Sequence, residues 1–126
     1  MLKRSFAAPL ALSMTSLLAL AACGGGSSAL TPPADADVVV EALDGNKFDK
    51  SEYTATAGDV DIAYLGRSSI NHTLLVASED GQQVGDKLKV SSGKIDEGTY
   101  ELSAGTYQLI CDVPGHTGMK ATLTVS

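Results

Sequence analysis

Tyr107-Gln108-Leu109-Ile110-Cys111-Asp112-Val113-Pro114-Gly115-His116-Thr117-Gly118-Met119-Lys120-Ala121-Thr122-Leu123-Thr124-Val125 is the stretch that decides how this chain folds. An alternating run stands at each end. Tyr107, Leu109 and Cys111 alternate with Gln108 and Ile110, and Ala121, Leu123 and Val125 alternate with Thr122 and Thr124. A period of two is the pattern of a β-strand. The connection between the runs holds a cysteine, a histidine and a methionine. Pro114 fixes one backbone angle in it, and Gly115 and Gly118 allow tight turns. The sequence therefore reads strand, donor-rich turn, strand.

The same rhythm extends upstream. Val60, Ile62 and Tyr64 alternate with Asp59, Asp61 and Ala63. His72, Leu74 and Val76 alternate with Thr73, Leu75 and Ala77. The runs at 60–64 and 121–125 show the clean alternation of half-buried strands, whereas those at 72–76 and 107–111 are in places apolar on both faces, as more deeply buried strands are. Turn residues punctuate the runs: Asp44-Gly45-Asn46, Ala57-Gly58-Asp59, Glu79-Asp80-Gly81, Ser91-Ser92-Gly93 and Ala104-Gly105. No segment carries a helical stripe. Residues 82–97 read poorly; they hold one alternating run, Lys87 to Val90, and leave room for a helical turn. Short strands at this spacing predict an all-β antiparallel sandwich or barrel.

His72, in Ile70-Asn71-His72-Thr73-Leu74, joins the residues of the donor-rich turn. Both histidines of the protein, and the one cysteine and one methionine beyond residue 23, lie in these two places. Singly, each has an ordinary reading: a strand histidine, a small buried hydrophobe, a core methionine. Jointly they are the donors of an electron-transfer copper site. A thiolate is soft enough for Cu(I), imidazole binds both oxidation states, and a thioether supplies a weak axial contact. Zinc also takes cysteine and histidine, but the methionine favours copper.

These motifs resemble those of the cupredoxins, the small blue copper proteins. The resemblance runs over nearly all of residues 38–126. It includes Ala57-Gly58-Asp59-Val60 before a strand, Asn71-His72-Thr73, Gly105-Thr106-Tyr107 leading to Cys111, and the Cys111–Met119 loop. Four residues between Cys111 and His116 resemble azurin and auracyanin; two between His116 and Met119 resemble amicyanin. The resemblance implies a Greek-key β-sandwich. It implies one type 1 copper ion with His72, Cys111 and His116 as equatorial ligands and Met119 as the axial one. It also implies that the His116 ring edge lies near the surface, with Pro114, Gly115 and Gly118 on an apolar rim. In many family members an asparagine follows the first histidine and ties the ligand loops together. Here Thr73 follows and Asn71 precedes; the Thr73 amide is expected to donate to the Cys111 sulfur, and the side-chain tie falls to either Asn71 or the Thr73 hydroxyl. Tyr107 is expected in the core with its hydroxyl on a nearby backbone carbonyl, and Asp112 reads as a solvated loop acid.

The N-terminus has a different character. Lys3 and Arg4 precede an apolar run from Phe6 to Leu20 that ends in Leu20-Ala21-Ala22-Cys23. This is the pattern of a secretory signal peptide, too short for a comfortable membrane span. Its last four residues resemble a bacterial lipobox, which implies cleavage after residue 22 and lipidation of Cys23. A linker over 23–34, glycine-rich and then proline-containing, would join the anchor to a domain at 35–126. With Cys23 lipidated, Cys111 is the sole free thiol in an oxidising compartment, where two cysteines would otherwise suggest a disulfide.

Of the nine basic residues, Lys3 and Arg4 leave with the signal; seven then face 15 acids, a net charge of −8. That argues against nucleic-acid binding and favours a redox partner with a basic docking surface. The expected protein is an exported, lipid-anchored monomer on the extracytoplasmic face of a membrane, carrying single electrons. Copper trafficking or storage with the same residues is the alternative. An enzyme is not expected. Both histidines are committed to metal, which leaves few candidates for general acid–base catalysis, and neither a serine–histidine–acid set nor a paired carboxylate stands out.

Overall fold

A computed structural model describes residues 30–126. The expected signal peptide, Cys23 and most of the linker lie outside the described residues. Nine strands and no helix occur among the described residues: β1 (Val38–Leu43), β2 (Lys47–Phe48), β3 (Glu52–Ala55), β4 (Gly58–Gly66), β5 (His72–Ser78), β6 (Gln83–Val90), β7 (Ile95–Leu102), β8 (Gly105–Ile110) and β9 (Lys120–Val125). They form two sheets, ordered β2-β1-β4-β7 and β3-β9-β8-β5-β6. Val40, Ile62 and Tyr64 of the first sheet share one core cluster with Leu74, Val76, Leu109 and Leu123 of the second. Burying one face of each sheet against the other is what a sandwich requires.

The all-β sandwich matches the expectation from the rhythm, with one difference. The ladders β1–β4 and β3–β9 are parallel, so the sandwich is not purely antiparallel. The chain passes from the first sheet (β1, β2) to the second (β3) and back (β4). Strands distant in sequence thereby become neighbours, an arrangement that the pattern of any one strand does not encode.

Burial within the strands also departs from the sequence reading. β4 alternates only to Ile62; Ala63, Tyr64 and Leu65 follow it as further buried residues. It lies between β1 and β7, and both its faces are covered along its second half. β5 and β8, read as apolar on both faces in places, bury both faces only at Val76 and Ala77; their other outer residues, among them Thr73, Leu75, Gln108 and Ile110, are half-buried. Apolar composition shows what a face tolerates, while coverage depends on which segments cross it.

Residues 82–97 hold β6, a turn and the start of β7, with no helical turn. β6 is an edge strand, and its register against β5 shifts between Leu74 and Val76. Gly85 sits there at φ 66°, the left-handed conformation that glycine adopts freely in a bulge. The bulge breaks the alternation, which is why only Lys87–Val90 was legible. Tyr107 fulfils its expected role: its hydroxyl donates to the Ser103 carbonyl at 2.9 Å.

Candidate metal centre

His72 opens β5, directly after the connection from β4. Asp44, in the turn between β1 and β2, holds that connection in place. Its Oδ1 accepts from the Ser68 hydroxyl (3.1 Å), the Ser69 amide (3.1 Å) and the Ser69 hydroxyl (3.4 Å). The Ser69 amide, then the Ser68 hydroxyl, keep the Asp44 carboxyl below the usual carboxylate range. The ladder pairs His72 with Val90 of β6, so the histidine is fixed from both sides.

The other candidates lie on the β8–β9 connection. Its mouth is closed by the Cys111 amide donating to the Met119 carbonyl at 3.1 Å. Inside it, the His116 amide donates to Val113 at 3.0 Å and the Met119 amide to His116 at 3.2 Å. Gly115 and Gly118 stand at φ 90° and 88°. The loop is thus two tight turns whose positive φ values suit glycine, as the sequence predicts.

These elements bring three donors together. Cys111 Sγ lies 3.5 Å from His116 Nδ1 and 4.0 Å from His72 Nδ1. Donor atoms of His72, Cys111 and His116 all lie within 4.8 Å of one another. The two rings tilt by 46° with centroids 4.8 Å apart. Bonds of about 2.0–2.3 Å to one ion place trigonal donors roughly 3.5–4 Å apart, so the cluster has the dimensions of a metal site. Burial, then His116, push the His72 pKa below its ordinary value, with Asp44 opposing. A neutral imidazole keeps its lone pair for a metal. His72 Nε2, the ring nitrogen other than the one beside the sulfur, is buried with no hydrogen-bond partner among the described residues.

Exposure is 1% for His72, 6% for Cys111, 8% for His116 and 1% for Met119. All four are buried, and His116 is the most exposed of them, flanked by exposed Pro114, Gly115 and Thr117. Met119 joins the core cluster with Cys111.

The sulfur has close neighbours from β5. The Thr73 amide donates to it at 3.5 Å, and the Thr73 hydroxyl oxygen lies 3.6 Å away. That oxygen also bonds both ways with Asp112: it donates to Oδ1 at 2.6 Å and accepts from the Asp112 amide at 2.9 Å. Thr73 therefore ties the two donor segments together. Across the sheets, the Tyr64 hydroxyl donates to the Thr73 carbonyl at 3.1 Å. Asp112 is more than a solvated acid. Its other oxygen pairs with Lys87 of β6, and Lys87, then Thr73, hold its carboxyl below the usual range. Its place beside Cys111 was a signal in the sequence. Lys87 gave none, because the bulge in β6 hides which residue reaches the site.

A nine-stranded sandwich with a buried His–Cys–His cluster at one end defines a cupredoxin. The sulfocyanin (SoxE) domain family matches over residues 50–126, and the chain belongs to that family. The hybrid loop spacing had left the subfamily open. No curated protein sequence shows significant similarity. Among solved structures, a dithionite-reduced auracyanin from Roseiflexus castenholzii superposes at TM-score 0.62 with 19% identity, covering 71% of this chain and 95% of the other. Auracyanin A of Chloroflexus aurantiacus, described as a "blue" copper protein, gives 0.60 and 23% over 70% and 96%. An azurin from Methylomonas sp. strain J gives 0.63 and 13% over 74% and 99%. At these identities the likeness is one of fold. Family and donor chemistry together fit one copper ion.

Proposed function

We propose that this protein is a one-electron carrier, with His72, Cys111 and His116 as equatorial copper ligands and Met119 as the axial ligand. The observation that carries the reading is the buried cluster of three donors within 4.8 Å of one another. Copper in such a site supplies reversible Cu(II)/Cu(I) chemistry and transforms no substrate. The protein's own residues do the rest. Asp44 and the β5–β6 ladder hold His72. The backbone bonds of the Cys111–Met119 loop fix the remaining donors. Burial excludes water, and the exposed turn around His116 offers the shortest approach for a partner.

In this reading residues 1–22 direct export, Cys23 carries lipid, and 23–34 tether domain 35–126 to the extracytoplasmic face of a membrane. The lipobox-like Leu20-Ala21-Ala22-Cys23 supports it. The partner is a redox protein, and the net charge of −8 supports a basic surface on it.

The test is the visible spectrum of the Cu(II)-loaded chain produced from residue 23 with Cys23→Ser. An intense sulfur-to-copper band that bleaches on reduction and is absent in Cys111→Ser is the expected result. A colourless protein that releases copper readily would sink the carrier reading and favour copper trafficking or storage.

A further inference from the structure

The Thr73 hydroxyl has one proton and two acceptors within reach. Asp112 Oδ1 lies at 2.6 Å and Cys111 Sγ at 3.6 Å. A bond to a carboxylate at about 2.5–2.7 Å is charge-assisted and stronger than a neutral one, and 3.6 Å is long for a hydroxyl donor even to sulfur. The carboxylate therefore takes the proton. The oxygen's other capacity is also engaged, by the Asp112 amide at 2.9 Å. The sulfur keeps the Thr73 amide as a donor at 3.5 Å and faces a hydroxyl oxygen whose proton is turned away.

Lys87 makes this arrangement specific. It pairs with Oδ2 of Asp112, so each carboxylate oxygen has its own partner and the group cannot rotate without losing one. The pair reaches from β6, beyond β5, to the residue that follows Cys111. The bulge at Gly85 lies just before Lys87 on the same strand, and bulges re-aim neighbouring side chains.

We propose that Asp112, fixed by Lys87, holds the Thr73 hydroxyl proton away from the Cys111 sulfur and thereby keeps the reduction potential of the site low. A donor at the sulfur draws electron density from it. That weakens sulfur donation to Cu(II) more than to Cu(I) and raises the potential. Asp112 and Lys87 are positioning residues; neither is a ligand. The proposal rests on the reading of Cys111 as a copper ligand.

The test is a double-mutant cycle of Asp112→Ala and Thr73→Val in the copper-loaded chain from residue 23 with Cys23→Ser. Asp112→Ala frees the hydroxyl to donate to sulfur. The potential should rise and the charge-transfer band should move to higher energy. In the Thr73→Val background the same substitution removes only a nearby negative charge, and the rise should be clearly smaller. Equal shifts in both backgrounds would overturn the proposal, because the aspartate would then act through its charge alone. Lys87→Met removes a positive charge, which by itself lowers the potential, so with Thr73 present the fall should be smaller than in the Thr73→Val background, and equal falls would overturn the role of Lys87. A second readout needs no metal: by NMR the Thr73 hydroxyl proton should be protected from exchange in the metal-free protein and lose that protection in Asp112→Ala. Unchanged exchange would refute the proton's position. A wild-type protein without a charge-transfer band would instead count against the ligand assignment, leaving the metal-free result to judge the proton.

Discussion

Removing a single oxygen tests how the two sheets are joined beside the metal centre. Tyr64 is fully buried on β4, and its hydroxyl crosses to the second sheet to bond the Thr73 carbonyl at 3.1 Å. Burial, with a smaller effect from Cys111, pushes its pKa far above the ordinary tyrosine value, so it stays a neutral donor at any working pH. Tyr64→Phe keeps the ring and its edge contact with Phe48 (centroids 6.2 Å apart) and deletes the cross-sheet bond. One lost intramolecular hydrogen bond costs about 0.5–1.5 kcal/mol. The amide opposite it in the β5–β6 ladder, that of Lys89, donates to Asp96 instead, so the Thr73 carbonyl gains no replacement from the ladder and the loss lies toward the upper end of this range. For a domain of this size about 1 kcal/mol lowers Tm by roughly 4–8 °C. Thermal unfolding of metal-free wild type and variant, followed by far-UV circular dichroism, measures it. A Tm unchanged within a degree, or raised, would refute the claim that this bond joins the sheets.

Three further outcomes are expected. Gly66→Ala should destabilise strongly, by about 3 kcal/mol or more on the scale of severe core substitutions, because its Cβ would stand 2.1 Å from the Ser91 carbonyl oxygen; urea unfolding reads the loss. The Asp44 carboxyl has a lowered pKa in the fold, so its contribution is present above the ordinary carboxylate value and is lost as pH falls through the lower folded value. Acid titration of stability should therefore be shallower in Asp44→Asn than in wild type below about pH 4. Copper binding should stabilise the fold by about 2.7 kcal/mol at a free concentration one hundred times Kd and so raise Tm in a concentration-dependent way, and the rise in Tm should shrink sharply in His72→Ala; an equal rise would remove His72 from the ligand set.

The clustering of His72, Cys111 and His116 was legible because most of its chemistry is local. Cys111, His116 and Met119 share one turn, and the rarity of histidine, cysteine and methionine elsewhere beyond residue 23 drew His72 to them. Alternation of side chains along β8 and β9 follows from backbone pleating alone, so those strands were readable without a partner. The tight turns at Gly115 and Gly118 were readable because few other residues adopt positive φ. Three features needed the tertiary structure. The parallel ladders β1–β4 and β3–β9 arise from the path of the chain between sheets, which no strand records in its own pattern. The double coverage of Ala63 and Leu65 depends on what crosses β4. The contact of Lys87 with Asp112 depends on a bulge that displaces the register of an exposed edge strand. What short-range chemistry dictates was written in the sequence; what depends on which distant backbone lies alongside was decided only when the two sheets closed on each other.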